Sequence, residues 1–214
     1  MTDRNIARHK LYDHMHDLQC PICEQLDAGT AKGMENLLYE GINDLDTRKR
    51  LYHARSFCAR HAHRLAQMGD PLAHAILYSD FIALAMETIE TAPRKVNSLN
   101  QTNENCLFCV REKEAEAIYV SAFIEAYAEA DFSGRYAAGG RLCIPHLALV
   151  MHLGGRKTEA IVKATLEKYR TLVGHLSEIK RKNDYRFKDE EWTPEEKAAW
   201  QAAVDTMNGK EGTR

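Results

Sequence analysis

Apolar residues recur along this chain at three- and four-residue intervals, the period of an amphipathic helix, and no strand pattern interrupts them. A short polar helix is expected over residues 4–18. Leu26, Thr30, Met34, Leu37 and Leu38 then mark a helix over 24–40, with Gly41 as its stop. Asp44 or Asp46 caps a further helix through Leu51, and Cys58 opens another that ends at Gly69. Asp70-Pro71 is an N-cap followed by proline at the first helical position. The helix it opens sets Leu72, Ala75, Ile76, Ile82, Met86 and Ile89 largely on one face. Leu77, Phe81 and Leu84 widen the stripe, so burial on more than one side is expected. Pro93 ends it, and the polar stretch 93–105 reads as a connector.

The order of elements then repeats. A helix is expected over about 110–130, with Ala117, Ile118, Ser121, Ile124 and Ala128 on one side. The glycine-rich stretch Gly134 to Gly140 stands where the first half has a short helix. Cys143 opens a helix that stops at Gly154-Gly155. A long one follows over 157–182, carrying Val162, Leu166, Tyr169, Val173, Leu176 and Ile179. Last comes Thr193-Pro194-Glu195-Glu196, a capping box. Trp200, Val204 and Met207 share one face of the helix behind it, and the aromatic stretch Tyr185-Arg186-Phe187 together with Trp192 is expected to dock that helix on the body. The fold class is therefore all-α. The chain divides into a first helical repeat over 1–92, the connector 93–105, a second repeat over 106–184 and a C-terminal docking helix with tail over 185–214.

The repeat carries chemistry. Cys20-x-x-Cys23 and Cys58-x-x-His61 are followed by Cys106-x-x-Cys109 and Cys143-x-x-His146, which together use all six cysteines. The gap from Cys23 to Cys58 is 34 residues and that from Cys109 to Cys143 is 33. Shifting one copy by 86 residues aligns the CxxC pairs, and by 85 the CxxH pairs. Two residues between ligands let both side chains converge on one ion. Three thiolates with an imidazole form the ligand set of a closed tetrahedral zinc site. Taken copy by copy, Cys20, Cys23, Cys58 and His61 make one site and Cys106, Cys109, Cys143 and His146 the other. The expected cofactors are two Zn²⁺ per chain. Fe–S clusters on the same ligands are the alternative, since soft donors suit both.

Other uses of the cysteines fit less well. Six unrelated buried thiols would have to duplicate four paired spacings by accident. Disulfides belong to oxidising compartments, whereas residues 1–19 are charged and show no apolar core of a signal peptide. A thioredoxin-like role for Cys20-Pro21-Ile22-Cys23 needs a βαβ setting that the surrounding pattern lacks. A net charge of −2, an apolar fraction of 44% and no apolar run read as long enough for a membrane span point to a cytoplasmic, ordered protein.

The motif set CPIC, FCARH, GDPLAHAILYSD, a second CxxC, LCIPH and EEWTPEEKAAWQAAV closely resembles a prokaryotic family known only as a domain of unknown function. The resemblance runs from residue 18 to residue 209. It implies the same ligand set and repeat boundaries, and no reaction. Leu107 stands where proline is the more familiar residue, at a position that supplies geometry rather than a donor.

Three further features bear on function. Residues 47–64 hold six Arg or Lys, three His and no acid, a candidate phosphate or nucleic-acid footprint beside the first metal site. The chain as a whole is slightly acidic and lacks interleaved stacking aromatics, which favours a solvated basic face that offsets an anionic metal site. His14, His16 and His63 are possible substitute ligands or second donors, His63 foremost. Tyr39, Glu40, Tyr78 and Asp80 are polar positions among apolar ones, candidates for a pocket or for buried hydrogen bonds. No nucleotide-binding glycine loop, His-Glu-x-x-His helix or Gly-x-Ser-x-Gly elbow is present. The expectation is a metal-binding adaptor or binding protein with a protein partner or small ligand, and no catalytic residues. A redox or metal-responsive protein is the alternative, and an enzyme with a substrate pocket between the long helices is a third reading.

Overall fold

The computed structural model describes residues 3–15, 18–99, 104–187 and 189–213. His16 and connector residues 100–103 lie outside the described residues. Every regular element among those described is helical: α1 (Asp3–Asp13), α2 (Pro21–Tyr39), α3 (Leu45–Ala54), α4 (Ala59–Gln67), α5 (Pro71–Thr91), α6 (Leu107–Ala126), α7 (Ala130–Ala138), α8 (Ile144–Gly154), α9 (Glu159–Lys182) and α10 (Pro194–Asn208).

Three helix starts follow from side-chain caps. The Asp44 carboxylate accepts the Thr47 amide at 2.7 Å to cap α3, and Asp70 accepts the Ala73 amide at 2.9 Å to cap α5. At α10 the Thr193 hydroxyl accepts from the Glu196 amide while the Glu196 carboxylate accepts from the Thr193 amide, a complete capping box. The Gly154-Gly155 stop works in two ways. Gly155 has a φ of +52°, and a Cβ on Gly154 would sit 2.4 Å from the Thr158 methyl.

Two compact units emerge: Met1–Leu26 with Glu116–Arg214, and Asp27–Ala115. They are not the two sequence repeats. The divisions fall within α2 and α6. In unit 2, Phe57 stacks on Phe108 with centroids 5.4 Å apart and meets Phe81 edge-on. Leu37, Leu51, Leu65 and Leu77 fill the space around them. In unit 1, Phe123 contacts Phe132 and Tyr136 edge-on. The Tyr136 hydroxyl is fully buried yet satisfied: it accepts from the Leu142 amide and donates to Thr165.

Three sequence expectations change here. The glycine-rich segment is helix α7 over Ala130–Ala138, because burial of Phe132 and Tyr136 outweighs the roughly 1 kcal/mol cost of one helical glycine. Helix α10 docks on α9 through the face that carries Glu196, Ala199 and Thr206, while Tyr185 of the aromatic stretch is 81% exposed. Glu196, Ala199 and Thr206 are buried and Lys182 pairs with Glu196 at 2.8 Å, whereas Trp200, Val204 and Met207 are exposed. Helix α5 buries only Ala73, Leu77 and Phe81, one narrow stripe. It is also long and apolar enough to cross a membrane by length and composition, with mean hydropathy 1.3 over its best window, contrary to the sequence reading.

Candidate metal centres

All four ligand pairs occupy the same local position. Cys20, Cys58, Cys106 and Cys143 each stand immediately before a helix, and their carbonyls accept the first helical amides from Glu24, Ala62, Val110 and Leu147. The second ligand of each pair lies three residues on, in the first turn. An N-cap side chain and the one three residues later converge, as they do in a capping box, so the spacing is built into the helix start. Each pair also sits at the positive end of a helix dipole, which favours thiolates.

The structure brings all eight predicted ligands together, with a different partition. Cys20 and Cys23 meet Cys143 and His146; Cys58 and His61 meet Cys106 and Cys109. Each centre joins a CxxC from one copy to a CxxH from the other, so the copy-by-copy pairing is corrected. The physical reason is that each CxxC at the start of α2 or α6 is apposed to the CxxH helix start of the same compact unit: α8 for Cys20 and Cys23, α4 for Cys106 and Cys109. Sequence spacing carries no information about which helix ends meet.

In unit 1, His146 Nδ1 lies 3.3 Å from the Cys20 and Cys23 sulfurs and 3.1 Å from that of Cys143, with Cys23 and Cys143 3.7 Å apart. In unit 2, His61 Nδ1 lies 3.3 to 3.4 Å from the sulfurs of Cys58, Cys106 and Cys109, with Cys58 and Cys109 3.5 Å apart. A zinc tetrahedron with Zn–S near 2.3 Å and Zn–N near 2.0 Å has S···S edges of roughly 3.8 Å and S···N edges of roughly 3.5 Å. Both donor sets fit, within a few tenths of an ångström. All the ligands are buried except Cys109, which is half-buried.

Both imidazoles turn Nδ1 to the sulfurs and donate from Nε2 to a carboxylate: His61 to Glu112 and His146 to Glu116, each at 3.0 Å. Such a partner fixes the tautomer and ring plane of a metal ligand. Glu112 is held further by the Thr30 hydroxyl at 2.8 Å and by Arg60 at 2.6 Å, and Arg60 also reaches the Cys109 sulfur at 3.7 Å. Burial opposes charge on both imidazoles. Even so, hydrogen bonds to Cys106 and Glu112 lift His61 to about 9, and those to Cys143, Cys23 and Glu116 lift His146 to about 11. The thiols diverge. Burial raises Cys109 to about 12, helped by the Cys106 charge, while the bond to His61 overcomes burial and brings Cys106 down to about 6. Protons and a cation compete for these same lone pairs.

Sequence reasoning missed Glu112, Glu116, Thr30 and Arg60. The signal was there in part: Glu112 and Glu116 lie three and seven residues after Cys109, on its face of α6. Neither His14 nor His63 joins a centre, and His63 is exposed. In the basic segment, Arg48, Lys49, Arg60 and Arg64 pair with Asp80, Asp46, Glu112 and Asp27. Asp80 is thus an ion-pair partner, and Tyr39 is 83% exposed.

Unit 1 also holds a half-open pocket of about 1260 Å³ whose wall includes Cys20, Arg141, Lys168, Glu167, Asp205 and Trp200. Arg141, 7% exposed, donates to the Ala202 carbonyl; Lys168 donates to the carbonyls of Ala137 and Gly139. Among the described residues neither makes a carboxylate ion pair.

Residues 3–213 match the model of a family of unknown function, DUF6062. The chain belongs to that family. A relative described as an uncharacterized 23.9 kDa protein in the xynA 3′ region of Caldicellulosiruptor sp. (strain Rt8B.4) is 31% identical over 207 residues, covering 93% of this chain and 99% of the relative. No solved structure matches the chain.

Proposed function

We propose that this DUF6062 protein is a cytoplasmic binding or adaptor protein whose two helical units are each pinned by a structural zinc ion. The observation that carries this reading is ligand closure. Each centre offers three sulfurs and one imidazole nitrogen within 4.8 Å of one another. Four protein donors complete a zinc tetrahedron, whereas a catalytic zinc keeps an open position for water or substrate. Zinc would supply charge and cross-linking. The residues themselves do the positioning: helix N-termini favour the thiolates, and Glu112 and Glu116 orient the imidazoles.

The binding part of the reading rests on the unit 1 cavity. Its largely apolar wall, which carries Arg141 and Lys168 and also Glu24, Glu167, Glu195 and Asp205, suits a small amphipathic ligand. A redox or metal-responsive role is favoured by one observation, the half-buried sulfur of Cys109 beside the Arg60 guanidinium.

Elemental analysis and a visible spectrum of protein purified without oxygen test the metal assignment. Two zinc ions per chain and no visible absorption are expected. Iron with acid-labile sulfide would replace the structural reading by the Fe–S one. Decanoate tests the cavity: it should change Trp200 emission in a Trp192→Phe background and bind at least tenfold more weakly to the Lys168→Ala variant.

A further inference from the structure

Helix α5 presents to solvent a row of side chains in a 3-4-3-4-3 rhythm. Leu72, Ala75, Ser79, Ile82, Met86 and Ile89 are all exposed, the four large ones by 71, 57, 56 and 50% for Leu72, Ile82, Met86 and Ile89. That rhythm is the heptad seam of a coiled coil, maintained over the whole helix. The opposite stripe, Ala73, Leu77 and Phe81, is already committed to the unit 2 core. No charge interrupts the seam. The Ser79 hydroxyl is spent on the Ile76 carbonyl of its own helix at 3.1 Å, and Asp80 at its edge is neutralised by Arg48 at 2.6 Å.

We propose that α5 is a dimerisation helix and that its seam is covered by α5 of a second copy of this chain, running antiparallel. The order of sizes along the row argues for a copy rather than another partner. Turned end for end about the midpoint between Ser79 and Ile82, the row falls on itself, with small residues opposite large ones at the two inner pairs and two large residues meeting at the outer one. Leu72 faces Ile89, Ala75 faces Met86, and Ser79 faces Ile82, so the two faces interdigitate. A two-fold axis produces this match twice, as an isologous interface requires.

Charge argues for the same orientation. The first turn of α5 has no acid and its last turn no base, while Glu87 and Glu90 lie near its C-terminus. Those acids oppose the dipole of their own helix. An antiparallel partner brings its N-terminal end, where the Asp70 carboxylate is engaged by the Ala73 amide, level with them. A parallel pair would instead stack acid on acid.

Sedimentation of the full-length, metal-loaded chain tests this. Wild type at micromolar concentration should sediment at twice the 24.3 kDa chain mass. Ile82→Glu and Met86→Glu, each at an exposed position, should weaken the dimer at least 100-fold with unchanged helical signal and metal content. Orientation is read by cross-linking. Oxidised Ala75→Cys/Met86→Cys should form a covalent dimer, and Ala75→Cys alone should not. A wild-type monomer at high micromolar concentration, or a dimer indifferent to Ile82→Glu, would overturn the proposal. So would capture of the wild type by phosphatidylcholine vesicles that Ile82→Glu abolishes, which would assign the face to lipid.

Discussion

Glu112 and Glu116 carry no metal-ligand geometry of their own, yet each sets how an imidazole presents Nδ1 to three sulfurs. Removing a carboxylate that orients a metal-bound histidine typically costs 10–100-fold in affinity. Glu112→Gln and Glu116→Gln should each weaken zinc retention at one centre by about that factor, measured by competition with a chromogenic chelator. The histidines themselves should behave alike. His63 follows His61 by two residues, about 200° around the helix, and points to solvent, so it has no route to the sulfurs. His61→Ala should therefore lose its metal as completely as His146→Ala after dialysis against a moderate chelator. Partial occupancy confined to His61→Ala would restore His63 as a substitute ligand.

At the scale of elements, the partition of ligands gives a sharp test. Cys20→Ser with Cys143→Ser strikes one centre and should leave one metal per chain. Cys20→Ser with Cys58→Ser strikes both and should leave none. Pairing within each sequence copy would reverse those counts. Helix α7 offers a second test. A Cβ on Gly134 meets nothing within 4 Å, so Gly134→Ala should raise stability by roughly 0.5–1 kcal/mol in a denaturant melt. A destabilised variant would mean that Gly134 serves a contact rather than tolerating a cost. These two cases show what was legible in the sequence. The ligands were readable because an N-cap residue and its third neighbour form a local unit, and local units leave spacing in the chain. Asp44, Asp70 and Thr193 were readable as caps for the same reason. Which two helix starts meet was not, since apposition of α2 with α8 and α6 with α4 is tertiary. The packed face of α10 was not legible, because Trp200, Val204 and Met207 satisfy helical periodicity as well as Glu196, Ala199 and Thr206 do. The buried ion pair from Lys182 decides between them.

At the scale of the whole molecule, each centre is a cross-link. One ties Cys23 to Cys143, 120 positions apart, and the other His61 to Cys106, 45 apart. Chain-entropy cost rises only logarithmically with loop length, so on the cross-link model both closures restrict the unfolded chain by similar amounts, roughly 4–5 kcal/mol each. Either is comparable with the lower end of an ordinary domain's entire stability, about 5–15 kcal/mol. Strong chelation with mild heating should therefore melt the helices, while a reductant alone should leave them intact, by circular dichroism. Because each centre lies wholly within one compact unit, the damage from a single-centre variant should also be regional. Hydrogen exchange should accelerate mainly over residues 116–213 in Cys143→Ser and mainly over 27–99 in Cys106→Ser. If both variants loosened the whole chain equally, the two units would fold as one cooperative body, and each metal would stabilise both.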